Sequence, residues 1–224
     1  MIITKEKPIE EIVKYLEPFE KILIVGCDGC TQPPRGLREA ETYASLIEMA
    51  LDLKGKNVEC AATTVVRQCC NDGVKNWVKP DEYDAVLSMA CGIGVQILTQ
   101  VFPKVPVFPA QNTVFIGSEE KREGAMYEMC MSCGDCLLAE TGGICPVTRC
   151  AKGLMNGPCG GCVEGKCEVP AYKKNWKGEV IETVNNDCAW YLIYNRLKEM
   201  DKLEQFRKYR PPRDRSISIH PRVL

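Results

Sequence analysis

Eight cysteines, Cys130, Cys133, Cys136, Cys145, Cys150, Cys159, Cys162 and Cys167, fall within the single stretch CMSCGDCLLAETGGICPVTRCAKGLMNGPCGGCVEGKC. Its first part, CMSCGDC, is a Cys-x-x-Cys-x-x-Cys run, and a cysteine followed by proline comes after it in ICPV. That is close to the bacterial ferredoxin pattern Cys-x2-Cys-x2-Cys-x3-Cys-Pro, in which closely spaced thiolates hold a 4Fe-4S cube. The gap from Cys136 to Cys145 is longer than in that pattern, so the likeness is local and implies no ferredoxin fold. The competing chemistry is a tetrahedral zinc held by two Cys-x2-4-Cys pairs, for which CGGC and GKC supply candidates. The sole histidine, His220, lies near the end of the chain, which argues against mixed cysteine-histidine zinc sites. The triplet of cysteines favours the cube. Eight thiolates suffice for two cubes, or for one cube and an adjoining site.

Further cysteines stand apart in the first half: Cys27 and Cys30 in GCDGCT, Cys69 and Cys70 in RQCC, and Cys91 in ACGIG. Each group follows an apolar run that reads as a strand, so the elements must be identified before their convergence can be judged. KILIVG is a continuous apolar run of the kind a buried parallel strand gives. RGLREAETYASLIEMALDLKGK carries Leu37, Ala40, Ala44, Ile47 and Leu51 at helical spacing, with Gly55 as a stop. NVECAATTVV and YDAVLSMAC read as the second and third strands, GVKNWV and GVQILTQVF as helices, and VPVFPAQNT as a fourth strand weakened by its prolines. An opening helix places Ile9, Ile12, Val13 and Leu16 on one face.

Strands alternating with helices predict an α/β fold with an N-terminal doubly wound parallel sheet, flavodoxin- or Rossmann-like, over residues 1–115. A small cysteine-rich iron-sulfur domain with a C-terminal helix and tail is expected over residues 116–224, the boundary lying in the charged stretch FIGSEEKREGAMYE. In doubly wound sheets the ligand site lies at the carboxyl ends of the strands. That rule brings Cys27, Cys30 and Cys91, with Cys69 or Cys70 (Cys70 the favoured fourth), to one edge as ligands of a first cluster. Cys60, within a strand, reads as a small buried hydrophobe. GCDGCT lacks the GxGxxG of dinucleotide sites, and GxxxxGK[ST] occurs nowhere, so nucleotide binding is not expected.

The chain has 15 cysteines in 224 residues, an odd number, and opens with the charged segment MIITKEKPIEEIVKYL rather than an export signal. A cytoplasmic, reducing location is therefore expected, where metal ligation is favoured over structural disulfides. A formal net charge of -1, with Lys and Arg spread along the chain, gives no footprint for nucleic acid. The longest apolar candidate, AVLSMACGIGVQILTQVF, is interrupted by Ser88, Gly92, Gly94 and Gln96 and reads as strand, turn and helix rather than a membrane span.

Toward the end, NNDCAWYLIYNRLKEMDKLEQF starts with N-cap residues Asn185 to Asp187 and repeats Ala189, Leu192, Ile193, Leu197, Met200 and Leu203 as an amphipathic helix. Trp190, Tyr191 and Tyr194 fit either packing within the domain or a partner surface. The basic run KYRPPRDRSISIHPRVL reads as a solvated or partner-bound tail.

The combination CxxCxxC, GICPVTRCAKGLMNGPCGG, GKCEV and CAWYLIYNRLK resembles the C-terminal cysteine-rich module associated with methylenetetrahydrofolate reductase. Cys162, in CGGC, departs from that motif. With the cysteine-bearing α/β domain in front, the chain resembles the small iron-sulfur subunit found beside the flavin-bearing reductase of acetogenic and related anaerobes. The resemblance implies 4Fe-4S clusters and electron delivery to a TIM-barrel partner carrying flavin and reducing methylenetetrahydrofolate to methyltetrahydrofolate; two clusters are expected, with room in the ligand count for a third, and a soluble low-potential donor. It also implies that the partner performs the chemistry on the folate, since the chain shows no paired-carboxylate signature, inward histidine or cofactor loop and is expected to be non-catalytic alone. Two rival readings follow from the residues: a zinc-stapled scaffold without redox work, and a thiol-disulfide catalyst using CDGC.

Overall fold

The computed structural model describes residues 1–120, 125–174, 179–218 and 220–221. Residues 121–124, within the stretch expected to hold the boundary, and the last three residues of the basic run lie outside the described residues. The chain divides into two compact units, Met1–Gly117 and Ser118–Leu224. No helix among the described residues is long and apolar enough to cross a membrane.

The first unit is built in chain order from β1 (Ile2–Glu6), α1 (Ile9–Leu16), β2 (Lys21–Cys27), β3 (Thr31–Gln32), α2 (Leu37–Asp52), β4 (Glu59–Val65), α3 (Asn71–Trp77), β5 (Ala85–Ser88), α4 (Gly92–Val101) and β6 (Val107–Pro109), followed by β7 (Gln111–Glu120), which runs past Gly117. Strands β4, β2, β5 and β6 lie side by side in that order, all parallel. The strand order reverses direction at β2: the chain steps outward to β4, returns to β5 on the other side, and continues to β6. Alternation along β2 separates two cores. Ile22 and Ile24 pack with Ala40, Ile47 and Leu51 of α2 and with α1, while Leu23 and Val25 pack with Val74 of α3 and Leu98 of α4. The mixed α/β class and the parallel sheet are thus as the apolar runs indicate, with helices on both faces.

Three features differ from the sequence expectation. The chain opens with a strand, β1, before its first helix, and β1 pairs in parallel with the two-residue β3 and antiparallel with β7 in a second sheet. Short strands of this kind, five and two residues long, carry little periodic signal. The third strand stops at Ser88, so Cys91 is not its last residue but the N-cap of α4, three positions on. The fourth strand is short, and after Ala110 the chain enters β7.

The second unit holds the end of β7, β8 (Ala125–Cys130), α5 (Pro146–Arg149), the hairpin β9 (Cys162–Val163) and β10 (Lys166–Cys167), the hairpin β11 (Ala171–Lys174) and β12 (Val180–Val184), α6 (Ala189–Glu199) and α7 (Leu203–Arg207). The N-cap of α6 is Cys188, not Asn185 to Asp187, and the expected single helix is two. Asp201, in the left-handed region at φ 53°, makes the break between them. Trp190, Ile193 and Leu197 form the buried face around Cys188, with Phe206 of α7 edge-on to Trp190. Met200, expected on that face, is exposed. Of the aromatic residues held open as a partner surface, Trp190 is buried and its indole N–H donates to the Leu154 carbonyl at 2.9 Å, whereas Tyr191 and Tyr194 are exposed.

Candidate metal centres

In the first unit the sheet fixes where each cysteine emerges. Cys27 ends β2, level with Val65 at the end of β4 and flanked on the other side by β5, strands that run about 4.8 Å apart. Cys69 and Cys70 lie in the loop after β4, Cys70 as N-cap of α3. Cys91 lies in the loop after β5. Cys27 and Cys91 are buried, Cys70 is half-buried, and Cys30 and Cys69 are exposed. The topology therefore carries these thiols to the carboxyl ends of three adjacent strands. The backbone of Cys30 is drawn toward β1, its carbonyl accepting the Ile2 N–H at 2.8 Å.

Gln68, overlooked in the sequence as one polar residue in RQCC, is the fastening of this edge. It is fully buried; its amide nitrogen donates to the carbonyls of Val25 and Gly26, both at 2.8 Å, and its carbonyl accepts the Ser88 hydroxyl at 2.6 Å. One side chain thus ties together the exits of β2, β4 and β5, the three loops that bear cysteine. Gly94 leaves the room it needs, since a Cβ there would stand 2.7 Å from that of Gln68. Cys27 is pinned again by its N–H, which donates to the Arg35 carbonyl at 2.6 Å, and Arg35 is itself buried and paired with Glu6 at 3.1 Å. Cys60, within β4, packs against the core, and burial pushes its thiol up to about 12, as suits a small hydrophobe.

In the second unit, Cys130 ends β8 and begins a tight loop through Cys133 and Cys136. Ser132 at φ 54° and Gly134 at φ 84° are both left-handed and curl that loop, and the Ser132 N–H donates to Cys130 Sγ at 3.4 Å. Cys145 is the N-cap of α5 and Cys150 its C-cap. The α5 hydroxyl of Thr148 donates to the Met129 carbonyl of β8 at 3.4 Å, so the Cys145–Cys150 turn lies beside the strand that carries Cys130.

Arg213 belongs to the basic run expected to be a solvated or partner-bound tail, yet it reaches this loop. Its guanidinium donates to Cys133 Sγ at 3.2 Å and to the Asp135 carbonyl at 2.7 Å. Burial raises the Cys133 thiol, but the Arg213 hydrogen bond and charge, with help from the Asp135 backbone, outweigh it and hold the thiol below its ordinary value. Arg210 is likewise internal, bonded to Glu140 at 3.0 Å and lying over the Trp190 ring. No regular pattern marks these two arginines among the others of the run.

Cys159, Cys162 and Cys167 sit on and beside the β9–β10 hairpin, where Cys162 and Cys167 face each other across the strands. Cys188, which the sequence presents as a lone cysteine before a helix, is beside them: Cys162 packs against the cluster that Cys188 belongs to, and both border one cavity. Burial raises the Cys162 thiol, and the Cys188 thiol raises it further. None of the fifteen cysteines is in a disulfide. Among the described residues, no three His, Cys, Asp or Glu side chains stand close enough together to hold a metal ion as they are placed.

The chemistry of the donor set fits soft metal ions. Thiolates select zinc and iron-sulfur clusters, and both groups of cysteines are supplied by backbone that local hydrogen bonds hold in place. Residues 108–216, just under half of the chain, match the family model described as methylene-tetrahydrofolate reductase C terminal. That is the family whose cysteine motifs the sequence resembles. No curated protein and no solved structure matches.

Proposed function

We propose, taking the place of residues 108–216 in the methylene-tetrahydrofolate reductase C-terminal family as premise, that the chain is an electron-transfer subunit of such a reductase. The match carries the reading, because it spans the whole cysteine run from Cys130 to Cys167. Bound 4Fe-4S clusters would supply single-electron redox chemistry. Their ligands would be Cys27, Cys30 and Cys91, with Cys69 or Cys70, in the first unit, and thiolates drawn from Cys130 onward in the second. A flavin-bearing partner would carry out the folate reduction, and a soluble low-potential donor would feed this chain.

The chain's own residues have definable tasks in that role. Gln68 keeps three cysteine-bearing loops at fixed separation. Arg213 presents a positive charge and a hydrogen bond to Cys133 Sγ, and hydrogen bonds to ligand sulfur are a protein's means of tuning potential. The buried cores of the first unit exclude water from one side of the cysteine edge.

The test uses the anaerobically purified chain, reduced and mixed with the flavin-bearing reductase subunit in a stopped-flow cell. Flavin bleaching at a rate that rises with the chain's concentration is expected, with loss of that bleaching in the Cys133→Ser, Cys136→Ser double variant. Equal bleaching by wild type and variant would overturn the assignment of electron transfer to the second-unit cysteines.

A further inference from the structure

Around the β9–β10 hairpin a small enclosed cavity of about 20 Å3 is bordered by Cys159, Cys162, Cys167, Cys188 and Cys150. Its position is set by three backbone connections. The Cys162 N–H donates to the Cys159 carbonyl at 3.3 Å, placing the two on one turn. Cys162 and Cys167 are directly opposed across an antiparallel pair, a geometry that brings Cβ atoms to about 5 Å. The Cys188 N–H donates to the Gly165 carbonyl at 2.8 Å, hanging the start of α6 on the hairpin turn. Gly165 permits this closeness twice over: it is left-handed at φ 80°, and a Cβ on it would stand 2.6 Å from the Tyr191 ring.

We propose that Cys159, Cys162, Cys167 and Cys188 hold a single tetrahedral zinc ion, a structural site separate from the iron-sulfur ligands of the same unit. Room favours a single ion. A cavity of this kind needs roughly 10–15 Å3 to admit one water-sized particle, so about 20 Å3 takes one ion as it stands, whereas a core of four irons and four sulfides would require it to widen. Spacing agrees, since Cys159-x2-Cys162 and Cys162-x4-Cys167 both fall in the C-x2-4-C range of structural zinc sites. A neighbouring donor agrees too. Lys152, which is also paired with Glu168, holds its Nζ 3.6 Å from Cys159 Sγ, a cation beside the net negative charge of zinc with four thiolates.

Cys150 borders the cavity but belongs elsewhere. Its sulfur accepts the Leu154 N–H at 3.4 Å, and it closes α5, which packs on the β8 strand of Cys130. The four assigned thiols border the cavity, and side-chain rotation would have to draw them together into a shell; on binding, the thiol protons pass to solvent. Cys130, Cys133, Cys136, Cys145 and Cys150 are then the thiols left for a cube.

The inference rests on the proposed reading of these cysteines as metal ligands, and its test separates the two. Wild-type chain is expressed with iron and zinc both supplied, purified without oxygen, and assayed for iron, inorganic sulfide and zinc together with X-ray absorption at the zinc edge. One zinc per chain with four sulfurs at about 2.3 Å is expected, beside iron. Cys188→Ser should lose the zinc and keep the iron. Cys188→His, which preserves a zinc ligand where the serine variant fails to fold, should keep the zinc with three sulfurs and one nitrogen. Iron without zinc in the wild type, or loss of iron rather than zinc from the Cys188 variants, would overturn the zinc site while leaving electron transfer standing. Zinc without iron would instead sink the electron-transfer reading and leave this site intact.

Discussion

Cys27 and Cys91 sit at the rim of a sheet whose two faces bury Ile22, Ile24 and Leu87 on one side and Val25, Val86 and Leu98 on the other, an apolar scaffold that owes nothing to metal. Cys130 through Cys188 sit in a unit whose buried apolar cluster, among the described residues, is little more than Trp190, Ile193 and Leu197 around Cys188 itself. The first unit has an apolar core of its own on which to present thiols; the second, on the proposed reading, draws much of its stability from metal on its thiols. The contrast teaches that the same residue type, in one chain, is a passenger on a core in one place and a substitute for a core in another.

Removing metal should break the comparison open most widely. Structural zinc in small domains contributes on the order of 10 kcal/mol to folding, far more than the second unit's apolar cluster can spare. Chelation should therefore strip hydrogen-exchange protection from α6 and the β9–β10 hairpin while β2, β4 and β5 stay protected. Equal loss in both units would show that the first also depends on metal.

Gln68→Ala probes the other side. It removes three buried hydrogen bonds, to the Val25 and Gly26 carbonyls and from the Ser88 hydroxyl, although the Val25 carbonyl keeps the Met89 N–H at 2.9 Å and Ser88 Oγ keeps the Ala90 N–H at 3.3 Å, a cost of about 2 kcal/mol. Urea unfolding should show that loss in the first unit, with the zinc content of the second unchanged.

Arg213→Ala acts on potential rather than folding. A cation beside Cys133 favours the more negatively charged, reduced cluster, so its removal should lower the reduction potential. The expected shift is about 40 mV, the equivalent of about 1 kcal/mol for one electron. Redox titration followed by EPR reads it, and iron per chain should not change. At the small end, Lys21→Ala removes an exposed pair with Glu59 at 3.7 Å and should alter stability by no more than about 0.5 kcal/mol, measured by the same urea unfolding.

How much of this could be read from the chain follows from where each feature stores its information. The parallel sheet was legible because β2, β4 and β5 are written as apolar runs with helical periodicity between them. The second sheet was not, because β3 is two residues long and β1 pairs with partners nearly thirty and more than a hundred positions away. The cysteine triplet marked itself as a candidate metal centre by its spacing. Cys188 did not announce itself, since its partners lie some twenty to thirty positions back and only the β9–β10 hairpin brings them beside it. Gln68 and Arg213 share that blindness: a polar residue beside cysteines and an arginine in a basic run look like solvated side chains until the fold supplies the carbonyls and the sulfur they bond.

The account stands most directly on iron and inorganic sulfide counted per chain in oxygen-free preparations, with EPR after reduction. Two clusters predict roughly eight of each, and signals typical of reduced 4Fe-4S centres. A folded, colourless chain carrying neither iron nor sulfide would contradict it.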